Sequence, residues 1–147
     1  DLGKFDAIIA ACDVVNYLRS TDELGCFLGG ARLLLKDDGV LLFDVHGPGR
    51  LTEWQKCPTY NRVGEASCYL LNVSLASTRI TQRLTGFIRA ANDIWTRFDE
   101  SHRQTYFDLN TLLESLQKSG FEHVKAYEFS TEDSSNNSTG RIQIAAR

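Results

Sequence analysis

The sequence predicts an α/β fold: a parallel βαβ unit, an inserted antiparallel β meander, and a closing helix with two strands. Three observations lead there. Two short apolar runs, FDAIIAA at 5–11 and GVLLFDV at 39–45, lack alternation, as strands covered on both faces do. Between them, apolar residues recur at helical spacing. From 69 to 107 the chain turns to β-branched and aromatic segments separated by short polar turns.

Each element follows in order. After the first strand, CDVVNYLRSTDE reads as a polar turn. Ser20 and Glu23 stand at capping-box spacing, and Leu24, Phe27, Leu28, Ala31, Leu34 and Leu35 share one helical face, which predicts a helix over 22–36. Gly29 and Gly30 inside it each cost about 1 kcal/mol relative to Ala, so they are expected where the helix backbone packs closely on a sheet. Lys36-Asp37-Asp38-Gly39 ends the helix, and GVLLFDV returns as a parallel, adjacent strand through a right-handed crossover. HGPG then breaks the chain. Segments 69–76, 80–90 and 94–107 form the meander. Asp108 caps a helix whose stripe is Leu109, Leu112, Leu113 and Leu116 and whose end is Lys118-Ser119-Gly120. Residues 121–130 alternate as a strand, 131–140 form a polar loop expected to be flexible, and RIQIAAR closes the chain as a strand.

Composition bounds the partners. At 147 residues, 42% hydrophobic and 24% charged, the chain has the profile of one globular domain that buries a core. A net charge of -3 argues against nucleic acid or an anionic membrane surface as a partner, because both need a surplus of Lys and Arg. No apolar run approaches the roughly 20 residues that span a bilayer, and no charged start precedes an apolar stretch as in a signal peptide, so a cytoplasmic location is expected. The chain starts at Asp1 and contains no Met, which suggests a piece of a longer chain. Cys12, Cys26, Cys57 and Cys68 form no CxxC pair and have no His at zinc-ligand spacing, so buried thiols are expected rather than disulfides or a metal site.

Several strings resemble the class I S-adenosylmethionine-dependent methyltransferases of the small-molecule type, which carry a β-rich insertion after the fifth strand. FDAIIAACDVVNYL resembles the fourth strand and its loop, GVLLFDVHGP the fifth strand, and DESHRQTY a phrase of the insertion. SGFEHVKAY resembles the opening of the sixth strand and RIQIAAR the closing seventh. The resemblance covers nearly the whole chain. It implies the C-terminal half of a Rossmann-like methyltransferase sheet, strands four to seven, with residues 1–50 and 108–147 as the core and 51–107 as a β-rich insertion or lid. No GxGxG follows a strand, and no second strand ends in an acid for ribose hydroxyls. The cofactor-loop half is thus absent, and catalysis by this chain alone is not expected.

The resemblance implies S-adenosylmethionine as cofactor and a small molecule as methyl acceptor. In the loop after the first strand, Ala10 and Ala11 leave space beside a ligand while Asp13, Asn16 and Tyr17 offer polar contacts; the resemblance favours Ala11, Cys12 and Tyr17 for cofactor contact. Asn16 can instead satisfy backbone groups of a helix-capping turn. Asp44 and His46, two apart on a strand, share one face and could orient substrate or accept a proton; His46 could also satisfy the Gly47-Pro48 turn. In the third meander segment Phe98, Glu100, His102, Gln104 and Tyr106 share a face opposite Arg97, Asp99, Ser101 and Arg103. His102 is the candidate general base and Glu100 its orienting acid, although a solvated face alternates in the same way. Trp95 and Tyr106 are candidates for lining a substrate pocket. The function implied is methyl transfer to a small molecule by an enzyme of which this chain is an incomplete part. The alternative is a non-catalytic partner that docks on another subunit. In either case the open edge of the first strand is expected to recruit a second chain, as a dimer.

Overall fold

The computed structural model describes residues 3–131, 133–136 and 138–147. The chain divides into two compact units, one running to Leu51 and resuming over Thr105–Arg147, the other Thr52–Gln104.

In the first unit, β1 (Phe5–Ala10), β2 (Leu35–His46), β7 (Val124–Glu128) and β8 (Arg141–Ala146) form a sheet of order β1-β2-β8-β7. β1 is parallel to β2, β8 is antiparallel to β2, and β7 is antiparallel to β8. Register sorts the side chains. Ile8 and Ala10 stand beside Leu41 and Phe43, and Phe43 and Val45 stand beside Ile144 and Ile142. With α1 (Thr21–Leu34) and α3 (Leu109–Lys118), which contribute Leu24, Leu28, Ala31, Leu112 and Leu116, this face makes one apolar cluster. Period 2 sends the alternate residues of β2 and β8, Asp44, His46 and Arg141, to the other face.

Local chemistry sets the helix ends. Ser20 Oγ accepts the Glu23 N–H at 3.2 Å, while Glu23 Oε2 accepts the N–H of Arg19, one residue before the cap. Asp108 accepts the Thr111 N–H at 3.0 Å and the Thr111 hydroxyl at 2.7 Å.

Several expectations need correction. Among the described residues β1 is covered on one face only: Phe5 is 40% and Ile9 68% exposed, on the face opposite Ile8 and Ala10, which pack against the core. α1 stops at Leu34, where Leu35 turns extended and buries its side chain, so Lys36–Gly39 falls within β2. There the ladder shifts register, from Phe5↔Leu35 to Ala7↔Val40. Gly29 and Gly30 mark no close packing, since a Cβ at either would meet nothing within 4 Å. Cys12, Cys26 and Cys57 are exposed and Cys68 partly so; all four thiols are free, and none belongs to the core.

The HGPG string does more than break the strand. Pro48 begins α2 (Pro48–Lys56), its missing N–H falling where a helix has no partner for one. The segment expected to be a flexible loop packs there. The N–H groups of Gly47 and Gly49 donate to the carbonyls of Gly140 and Thr139, and Thr139 is fully buried. A Cβ on Gly47 would sit 2.2 Å from the Thr139 oxygen and one on Gly49 2.0 Å from that of Ser138, so only glycine admits this approach. Glu132 and Asn137 of this segment lie outside the described residues.

The second unit holds a sheet of order β3-β4-β5-β6, made of β3 (Thr59–Val63), β4 (Ser67–Ala76), β5 (Arg79–Arg89) and β6 (Trp95–Thr105, its last residue in the first unit). The short strand β3 was not anticipated. Within the second unit, the ring of Phe98 lies where a Cβ on Gly86 would stand. On β6, Phe98, His102 and Gln104 are partly or fully buried while Arg97, Asp99, Ser101 and Arg103 are exposed, as on a half-covered strand, but Glu100, expected on the covered face, is exposed as well. Tyr106 lies beyond the end of β6 and belongs to the first unit, so it does not continue that strand face.

Candidate active site

The loop leaving the carboxyl end of β1 carries two consecutive non-glycine residues in the left-handed region. Cys12 and Asp13 both adopt positive φ, 64° and 51°. Neither is glycine, and the left-handed region costs an L-residue roughly 1–2 kcal/mol each. Such strain persists only where its surroundings over-determine it.

Those surroundings are a charged cluster. The Asp13 N–H donates to Asp44 Oδ2 at 2.9 Å. Arg141 Nη2 donates to Asp13 Oδ1 at 2.5 Å, and its Nε lies 3.2 Å from Asp44 Oδ2. His46 Nε2 stands 3.7 Å from Asp13 Oδ2. Asp44 and His46 are only 3% and 5% exposed. Beside them Asn16, with no exposure at all, accepts the His46 N–H on Oδ1 at 3.1 Å and donates from Nδ2 to the Thr105 carbonyl at 2.8 Å.

Asn16 is buried with both ends of its amide on backbone groups, those of His46 and Thr105 rather than of its own turn. Asp44 and His46 do share a face, but they lie under the loop, tied to Asp13, Arg141 and Asn16. Of the residues expected at the cofactor, Ala11 and Cys12, both small, and the half-exposed Tyr17 stay accessible, as does Val14 beside them. Ala10 and Asp13 are partly covered. Arg141 was missed. Its signal was a cation at the head of an otherwise apolar closing strand.

Tyr106 lines a cleft of about 290 Å³ with Pro48, Asp108, Asn110, Ser135 and Asn136. Burial, and then the negative charge of Asp108, hold its phenol above the usual tyrosine range. Asp108 itself lies below the usual carboxylate range, chiefly because the Thr111 hydroxyl donates to it. In the other unit, His102 Nε2 and Glu100 Oε2 are 3.2 Å apart and half-exposed, Gln82 donates to Gln104 at 2.7 Å, and Trp95 is 43% exposed. Among the described residues, no three His, Cys, Asp or Glu side chains gather as a metal site.

No protein-family model matches the chain. Across 99% of its length it superposes, with a TM-score of 0.91 and 20% identity, on 58% of an S-adenosylmethionine-dependent methyltransferase from Clostridium acetobutylicum ATCC 824. The fold is that of the class I methyltransferases. A sugar N-methyltransferase, KedS8 from Streptoalloteichus sp. ATCC 53650, shares this methyltransferase fold with a TM-score of 0.72, at 18% identity over 99% of the chain and 57% of that structure. Two curated relatives carry the name "Putative methyltransferase". The protein from Geobacillus sp. (strain WCH70) is 27% identical over 98% of the chain, and YqeM from Bacillus subtilis (strain 168) is 29% identical over 82%. The chain spans 59% and 49% of their lengths.

Proposed function

We propose that this chain is part of an S-adenosylmethionine-dependent methyltransferase acting on a small molecule. The observation that carries the reading is the strained, pinned loop at the carboxyl end of β1, which is where open α/β sheets bind ligands, on a methyltransferase fold that accounts for 99% of the chain. Ala10, Ala11, Cys12, Asp13 and Tyr17 are the cofactor-facing residues. They fit the group: two exposed small side chains give a flat adenosine or methionine moiety close approach to the backbone, and the half-exposed Tyr17 ring offers an edge to pack on. Asp44, His46 and Asn16 act from beneath, by fixing the loop.

S-adenosylmethionine supplies, when bound, a methyl group on a sulfonium that is already a good leaving group. The protein then has to hold an acceptor in line and exclude water. Trp95 and the Tyr106 cleft are the proposed acceptor-lining features. Glu100 and His102 are the proposed acid–imidazole pair, His102 taking a proton from an acceptor that must lose one. A small acceptor is supported by the sugar substrate class of KedS8, and the net charge of -3 disfavours nucleic acid. No helix among the described residues is long and apolar enough to cross a membrane. β1, which pairs only with β2 among the described residues and exposes Phe5 and Ile9, is proposed as an edge for a second copy.

The test is label transfer. The whole protein, given methyl-labelled S-adenosylmethionine and a cell extract split into small-molecule and macromolecular fractions, should label the small-molecule fraction. Label confined to protein or nucleic acid would overturn the proposed substrate class.

A further inference from the structure

We infer that Arg141 is a positioning residue that locks the loop Cys12–Tyr17 in its ligand-ready shape; the inference rests on the methyltransferase reading of that loop. Arg141 opens β8, where its Cα partner across the ladder is His46. Its guanidinium reaches Asp13 through Nη2 and Asp44 through Nε, and its Cζ lies 5.1 Å from the centre of the Phe129 ring. One cation thus joins the loop after β1, the end of β2 and the end of β7.

Three observations make this a lock rather than an incidental ion pair. Asp13 stands at the cap position of the helical turn Val14–Tyr17, where an aspartate ordinarily accepts a backbone N–H, yet it makes no side-chain cap bond; its Oδ1 goes to Arg141 instead. Asp44 Oδ2 meets both the Arg141 Nε and the N–H of Asp13, so the same oxygen that holds the left-handed residue is itself held by the guanidinium. The side chains of Asp44, Asp13 and Arg141 are 4%, 20% and 30% exposed, so water and salt screen these charges far less than those of a surface pair. Without the cation, two neighbouring carboxylates repel across the bond that fixes Asp13. A lysine offers one point charge where the planar guanidinium offers two separate donors and a face for Phe129.

The test compares the whole wild-type protein with its Arg141→Met and Arg141→Lys variants. Amide hydrogen exchange is read at Asp13, Asn16 and Leu18, and binding of S-adenosylmethionine by calorimetry. Arg141→Met should speed exchange at these amides about tenfold, the scale of one charge-assisted hydrogen bond, and leave the amides of α1 and α3 unchanged. Cofactor affinity should fall about tenfold and its KM rise alike, with turnover at saturating cofactor within about twofold of wild type; Arg141→Lys should recover part of both effects. Unchanged loop exchange overturns the inference. So does faster exchange spread equally over loop and core, or a loosened loop with unaltered affinity. If Arg141→Met does not fold, Arg141→Lys alone decides on the same criteria. Wild-type protein that binds no S-adenosylmethionine brings down the methyltransferase reading and this inference together, whereas wild type and variant binding equally well overturn the lock alone.

Discussion

Replacing Asn16 with alanine removes an amide that reaches two backbone groups from a fully buried position. The His46 N–H loses its acceptor at 3.1 Å and the Thr105 carbonyl loses its donor at 2.8 Å. A buried polar group stranded in this way costs about 1–3 kcal/mol. His46 is nearly inaccessible to replacement water and Thr105 is half-buried, so one full and one partial penalty apply, about 2–4 kcal/mol together. Domains are stable by only about 5–15 kcal/mol, and near 150 residues each kcal/mol moves Tm by roughly 2–4 °C, so a fall of about 5–15 °C is expected. Asn16→Asp keeps the acceptor for His46 but brings a third carboxylate near Asp13 and Asp44, and should be no better tolerated. Urea titration followed by tryptophan fluorescence should show a lower midpoint with an unchanged slope. A change below about 0.5 kcal/mol would place Asn16 among ordinary surface positions and refute its role as a clamp.

Asp108→Ala removes the cap of α3 and should cost about 1 kcal/mol at neutral pH. Because the folded-state carboxyl is held below its ordinary value, this contribution is present above the unfolded pKa and is lost as pH falls through the folded one; wild type and variant should converge in acid in paired urea titrations, and a constant gap would refute it. His102→Ala in the whole enzyme should lower turnover with Tm nearly unmoved, since His102 and Glu100 are half-exposed; a large loss of stability at unchanged turnover per folded molecule would make the pair structural. Light scattering on the isolated chain should show a dimer or larger species formed through β1, and a cooperatively melting monomer at tens of micromolar would contradict that edge contact.

What sequence reasoning reached and what it missed have separate physical causes. Ser20 with Glu23, and Asp108 with the leucines of α3, act within one helical turn, so spacing alone revealed them. The alternation of Phe98, His102 and Gln104 with Arg97, Asp99, Ser101 and Arg103 on β6 was legible for the same reason, because strand alternation is a local rule, whereas the exposure of Glu100 and the end of the strand before Tyr106 were not. Helix α2 was hidden by context: Gly47 and Gly49 read as breakers, and only contact with Ser138 and Thr139 explains why glycines flank a helix-starting proline. The exposure of the cysteines depends on which helix face and which loop they fell on, not on their own chemistry. The centre of the site was least legible, since Arg141 meets Asp13 across 128 positions of sequence. Asp44 and His46 were picked out for their shared face, but their partners come from two other strand ends.

The central claim is that the loop after β1 serves a cofactor. Titrating the whole protein with S-adenosylmethionine by calorimetry, alongside a Cys12→Trp variant that fills the small-residue approach, tests it directly. Saturable heat and a Tm that rises with cofactor concentration are predicted for the wild type, both lost or sharply weakened in a variant whose own Tm is unchanged. No heat and no stabilisation at about millimolar cofactor, or equal binding by Cys12→Trp, would contradict the account.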